Sequence, residues 1–121
     1  ITLIHPSAVI ATDVAIAPGT AIMADAVVNP GTVIGKGCIL NTSSSVDHDN
    51  IIGDYSHIAV GAHTAGTVVI GDSVWLGIGA VVSNNIHICS GCTIGAGAVV
   101  VKSIDIAGTY IGVPAKVIKR D

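Results

Sequence analysis

A period of six residues runs through this chain and constrains its fold more than any other feature. Stepping by six from Ile4 gives Ile10, Ile16, Ile22, Val28, Ile34, Leu40 and onward to Val100. Sixteen of these seventeen positions are aliphatic, Thr64 being the exception, and nothing is inserted or deleted between them. Four residues after each aliphatic position the side chain is mostly small, as at Ala8, Thr20, Ala26, Cys38, Ser44, Ala62 and Ala98. The residue just after it is often Gly, as at Gly35, Gly53, Gly71, Gly77 and Gly95. Neither the helical period of 3.6 nor the strand period of 2 produces this pattern. One large and one small inward residue per hexad read as a short strand plus a turn. Three such units close a triangular coil of eighteen residues, and stacked coils bury an aliphatic column between parallel strands. Seventeen hexads predict an all-β parallel β-helix of five to six coils, rising about 4.8 Å per coil. An ordinary β-sandwich would need unequal strand spacing and irregular loops.

Composition agrees with a narrow interior. Half of the 121 residues are apolar, yet there is no Phe, one Trp and two Tyr. A core of ordinary width uses several large aromatics. The length suits one domain. Residues 1–104 form the expected β-helix domain, and residues 105–121 leave the repeat as a tail expected to cover the open strand edges of the last coil. The net charge of −3 argues against a nucleic-acid footprint. No apolar run is long enough to span a membrane, and three Cys without a secretory context predict a reduced, cytoplasmic protein. The chain opens at Ile1, directly in the repeat, and is expected to be part of a longer protein.

The eighteen-residue coil also serves as a ruler, since residues eighteen apart stack on one face. His48 lies at a corner in Val46-Asp47-His48-Asp49-Asn50, where either carboxylate could fix its tautomer and raise its basicity. A solvated turn histidine is the plain alternative. Asn50 weighs a little against it, because it takes an inward slot normally given to Ala, Ser or Thr, and such local violations tend to mark functional sites. His57 and His63 share an outward slot one hexad apart. Trp75, the only Trp, falls eighteen residues beyond His57 and should stack on it, marking a face that packs against another subunit. His5 and His87 have no partner that spacing identifies and read as surface residues. Cys89 and Cys92 form a single CxxC, a weak zinc signal. Cys38 and Cys92 fall in the small inward slot and read as core thiols.

The repeat itself resembles that of the hexapeptide transferase superfamily, which implies a left-handed β-helix. The stretch Asn41-Thr-Ser-Ser-Ser-Val-Asp-His48-Asp49, followed by Ile52-Gly53-Asp54-Tyr55-Ser56-His57 and Val60-Gly61-Ala62-His63-Thr64-Ala65-Gly66, resembles the sialic-acid O-acetyltransferase family. Within it, the chain is similar to the N-acetyltransferases of UDP-4-amino sugars in bacillosamine-type pathways. The ending Gly112-Val113-Pro114-Ala115-Lys116 also resembles hexapeptide acyltransferases. The resemblance implies transfer of an acetyl group from acetyl-CoA to a nucleotide-linked amino sugar by a homotrimer. It implies that His48 is the general base and contacts the acceptor, and that Asp49 orients it, where the family often has Glu. His57 would hydrogen-bond the acetyl carbonyl, Asn41 would line the acceptor pocket, and Gly66 would contact the cofactor through its backbone. Trp75 and Lys116 are further candidates for the cofactor groove. Such enzymes usually carry an N-terminal α/β domain that grips the nucleotide sugar. No counterpart of it is found here, so the chain is expected to be the acyl-transfer half of such an enzyme, or the acetyltransferase module of a bifunctional glycan-synthesis protein. Two rivals follow. A zinc enzyme similar to γ-type carbonic anhydrases would use His48, His57 and His63, but their spacing fits that site poorly, and no metal is expected. A non-catalytic trimerisation module would bind no acetyl-CoA and would tolerate His48→Ala.

Overall fold

In the computed structural model, which describes residues 1–121, seventeen two-residue strands begin every six residues, from Leu3–Ile4 to Val99–Val100. Each of the first fourteen pairs in parallel with the strand eighteen residues on, as in Ile4↔Ile22 and His57↔Trp75. The result is a left-handed parallel β-helix of about six coils with three flat faces. Face A carries Leu3–Ile4, Ala21–Ile22, Ile39–Leu40, His57–Ile58, Trp75–Leu76 and Thr93–Ile94. Face B runs from Val9–Ile10 through Ser45–Val46 and His63–Thr64 to Val99–Val100. Face C runs from Ala15–Ile16 through Ile51–Ile52 to His87–Ile88.

The turns explain the period. The third residue of almost every corner has positive φ, and these positions recur every six residues. Gly fills seven of them, from Gly19 to Gly97, while Asp25, Ser43, Asp49, Tyr55, Thr67, Ser73 and Asn85 fill the others. The left-handed conformation turns the chain by one prism corner and costs least for Gly, Asn and Asp. Inside, Ile22, Leu40, Ile58, Leu76 and Ile94 stack in one column, all at most 1% exposed. Burying each such side chain contributes about 1.5–3 kcal/mol. In the small slot, hydroxyls turn back onto the next coil's backbone. Thr20, Thr32 and Ser56 each donate to the carbonyl fifteen residues ahead, at 2.7, 2.8 and 2.7 Å. That bond satisfies a buried polar atom and ties coils together.

Beyond Val100 the chain continues around the prism, but the offset between paired residues falls from eighteen to sixteen. Ile104 bridges Ile88 on face C. Gly108–Ile111 then adds to face A beside Thr93–Ile94, and Lys116–Arg120 folds back antiparallel against it. No helix is long and apolar enough to cross a membrane.

Candidate functional site

His48 stands in the corner between faces B and C. Its Nδ1 lies 2.9 Å from Asp49 Oδ2. Nδ1–H therefore donates to the carboxylate, and Nε2 carries the free lone pair. This hydrogen bond raises the His48 pKa above its ordinary value, with smaller contributions from the charges of Asp47 and Asp49. Asp47 is occupied elsewhere. Its Oδ1 accepts from the backbone N–H of His48 and from Asn29 Nδ2, both at 2.8 Å. Of the two flanking carboxylates, Asp49 thus orients the ring and Asp47 holds the backbone.

Two glycines give the pair its room. Gly66 follows His48 by eighteen residues and lies buried beneath the imidazole. A Cβ there would overlap Nε2 and sit 2.6 Å from Cε1, although the Gly66 backbone needs no positive φ. The missing side chain, not conformational freedom, is what the corner uses. The backbone N–H of Gly66 has no hydrogen-bond partner. An unpaired buried donor beside a free imidazole nitrogen is a feature that reaction sites exploit. Gly31, eighteen residues before Asp49, leaves space for that carboxylate in the same way.

His57 projects from the middle of face A. Its ring meets Trp75 edge-on, with centroids 4.2 Å apart and planes at 76°, so the stack predicted by the ruler is present. Asn41 Nδ2 approaches His57 Nε2 at 3.2 Å. The Asn41 Oδ1 already accepts from the Thr42 N–H at 2.8 Å, which fixes the amide's orientation. Nδ2 therefore donates to Nε2, and the neutral ring keeps its own proton on Nδ1. Burial lowers the His57 pKa, favouring that neutral form. Trp75 is 47% exposed in the single chain, a large apolar area left on a flat face.

The remaining candidates scatter. His48, His57 and His63 occupy the B/C corner, face A and face B, so within one chain they form no ligand set. His63 Nδ1 lies 2.6 Å from Ser45 Oγ, eighteen residues away. His87 is not the partnerless residue expected from sequence. It pairs with Asp105, also eighteen residues on, and its N–H bonds Ser103 Oγ at 3.0 Å. The ruler could have found both pairs; Asp105 escaped because the repeat was taken to end before it. The sulfurs of Cys89 and Cys92 are 3.5 Å apart, and burial pushes the Cys92 thiol up to about 11. Lys116 and Lys102 border a cavity of about 160 Å³ completed by Val101, Pro114 and Ala115. It opens near the B/C corner of the last coil. An apolar hollow of about 300 Å³ at the first coil, lined by Leu3, Ile4, Ile22 and Met23 among others, touches none of the candidates except through nearby His5.

Sequence reading also missed the meaning of Thr64. Its hydroxyl donates to Asn50 Oδ1 at 2.6 Å, so the two residues that break the repeat are partners. They are fourteen residues apart, a separation that the eighteen-residue ruler does not flag.

Comparison with known proteins agrees with the fold. The family described as bacterial transferase hexapeptide (six repeats) matches residues 67–102. No curated protein sequence matches the chain. Among solved structures, the acetyltransferase domain of PglB from Neisseria gonorrhoeae is 41% identical with a TM-score of 0.96, and the match covers 98% of this chain and 58% of that one. The same domain in complex with acetyl coenzyme A matches with a TM-score of 0.95, covering 97% and 57% at the same 41% identity. A histidine mutant of perosamine N-acetyltransferase from Caulobacter crescentus, in complex with CoA and GDP-perosamine, is 38% identical with a TM-score of 0.97, covering 100% and 57%. The chain thus spans less than three-fifths of the length of these structures.

Proposed function

Taking the chain as a member of the hexapeptide-repeat transferases, we propose that it transfers an acetyl group from acetyl-CoA to the amino group of a nucleotide-linked sugar. One observation carries the proposal: a free His48 Nε2, its ring held by Asp49, packs against Gly66, whose backbone N–H has no partner. Base and oxyanion donor are the two groups that acyl transfer needs side by side. The two relatives found with acetyl coenzyme A or CoA support the choice of co-substrate, and the one with GDP-perosamine supports the acceptor class.

The residues present suit such a co-substrate. The corner that holds His48 continues upward through Gly66 and Asn84 to Lys102. Three coils at about 4.8 Å each separate His48 from the lysine-lined cavity, a span of about 14 Å. That suits an extended pantetheine arm with its thioester at His48 and its phosphates at Lys102 and Lys116. Lysines serve such groups as compact point charges. In the mechanism, His48 Nε2 takes the proton of the acceptor amine as it attacks the thioester carbonyl. Such general-base help is worth about 10²–10⁴ in rate. The Gly66 N–H and His57 Nδ1–H stabilise the negative charge developing on the carbonyl oxygen, and Asn41 holds His57 in the required tautomer. The proton on His48 then passes to the departing thiolate.

His48 and His57 cannot share a site within one chain, because the B/C corner is the edge opposite face A. We therefore place the site between neighbours of a homotrimer, where the His48 corner of one subunit meets the His57–Trp75 face of the next. The cytoplasm is the proposed compartment, supported by three free thiols. The testing experiment measures thiol release from acetyl-CoA with a panel of nucleotide-linked amino sugars. UDP-linked 4-amino sugars come first and GDP-perosamine second. Release that His48→Ala abolishes supports the proposal; absence of both release and acetyl-CoA binding overturns it.

A further inference from the structure

The large inward column of this β-helix is aliphatic except at Thr64, and the one buried amide, Asn50, lies beside it behind His48. Asn50 is fully buried. Its Nδ2 donates to the carbonyl of His48 at 3.0 Å and to that of Ala65 at 2.9 Å. Its Oδ1 accepts from Thr64, and its backbone N–H donates to Thr32 Oγ1 at 3.2 Å. Thr32 in turn donates to the carbonyl of Asp47 at 2.8 Å. At Thr20, Thr32 and Ser56 the small slot places one hydroxyl on one carbonyl of the next coil. Here an amide with two N–H groups replaces the hydroxyl, and the extra bond goes to the backbone of His48 itself. The bond to Ala65 fixes the residue before Gly66 from the same point. An Asn in this interior leaves Oδ1 in need of a donor, and Thr64 supplies it by giving up an aliphatic side chain in the stacked column.

A repeat satisfied with Ser and Val at these slots elsewhere has no need of this pair for folding. Buried polar pairs add little net stability over a well-packed apolar core, and leaving one partner alone is costly. We propose that the Asn50–Thr64 pair is a positioning device, which locks the backbone of His48 to that of Ala65–Gly66 so that the imidazole keeps its place against Gly66. The proposal deepens the reading of His48 as the base and rests on it for its consequence on turnover. Its geometric content stands separately. Asp49 and Asp47 are the charged groups facing the ring, so its titration reports whether the ring keeps its contact with Asp49.

The test is a double-mutant cycle with Asn50→Ser, Thr64→Val and the double variant N50S/T64V, plus Thr64→Ser as the conservative control. The double variant restores residue types that this repeat already uses inside, and it should melt at or above the wild-type temperature. Its kcat should fall about tenfold or more while KM for acetyl-CoA stays within about twofold, as expected for a misplaced base. The His48 ring resonances should titrate at a lower pH than in wild type. Thr64→Ser, which keeps the hydroxyl, should retain wild-type turnover and titration. A folded double variant with unchanged kcat and unchanged His48 titration overturns the proposal. If the wild type shows no His48-dependent turnover, the transferase reading fails, and the ring titration alone decides the positioning role.

Discussion

At the scale of single residues, the corner at His48 owes its chemistry to groups that are absent as much as to those present. Gly66 and Gly31 leave the volume into which the imidazole and the Asp49 carboxylate fit. Gly66→Ala should therefore leave the coil intact, since φ there is ordinary and the ring can swing into solvent. The displaced base should cost about 100-fold in kcat, with KM for acetyl-CoA little changed because the backbone N–H persists. Equal turnover in the Ala variant, measured by thiol release, would refute the packing argument. Asp49 gives a second expectation, this time in pH. Its hydrogen bond raises the His48 pKa, so the ring stays protonated to higher pH and the free base forms only above the raised value. In Asp49→Asn the carboxylate is gone and the pKa falls. The acid limb of kcat/KM should then move to lower pH, while the plateau drops because the ring loses its orientation. An unmoved limb would mean that His48 does not set it. Much of this corner was legible in sequence. His48 and Gly66 here, like His57 and Trp75 on face A, stand eighteen residues apart, so their neighbours could be counted. The Asn50–Thr64 bond was not legible, because an inward side chain chooses among partners on two other faces, and that choice depends on its rotamer.

At the scale of the strand and the coil, the sequence says nearly everything. Two residues per strand, one inward and one outward, leave no freedom of register once the corners recur every six residues, and a slip of one would turn each strand's core residue outward. The end of the repeat was harder to read. The register switches there: Ile104 bridges Ile88 and Thr109 pairs with Thr93, each sixteen residues on, although Asp105 still meets His87 at eighteen. That switch depends on tertiary pairing rather than on any period. Stability should be graded along the stack, since each coil rests on its neighbours. Leu76 is fully buried between Ile58 and Ile94, so Leu76→Ala should cost about 2–5 kcal/mol in urea unfolding. Ile4, in the equivalent slot of the first coil, is 48% exposed. Ile4→Ala should cost about 1 kcal/mol or less. Equal costs at both positions would show that the first coil is covered by further structure or that the stack does not unfold as coupled layers.

At the scale of the whole molecule, the triangular section sets a rule for where a site can form. A corner and the face opposite it never meet in one prism, and His48 and His57 are so placed. If both act on one acetyl group, each site must draw one histidine from each of two subunits, and a closed ring of three gives three such sites. This arrangement predicts complementation. His48→Ala and His57→Ala trimers should each be inactive. When the two variants are mixed and reassembled at random, three-quarters of the trimers contain both kinds of subunit, and one interface in three of those carries both wild-type histidines. Activity should therefore return to about a quarter of the wild-type value. Mixing without reassembly should restore nothing, which controls for traces of wild-type enzyme. A reassembled mixture that stays inactive, although each variant forms trimers and binds acetyl-CoA, would place both histidines' function within single subunits and break the proposed interface. Recovery near one quarter would fix which edge meets which face, because only the pairing of the B/C corner with face A brings these two side chains together.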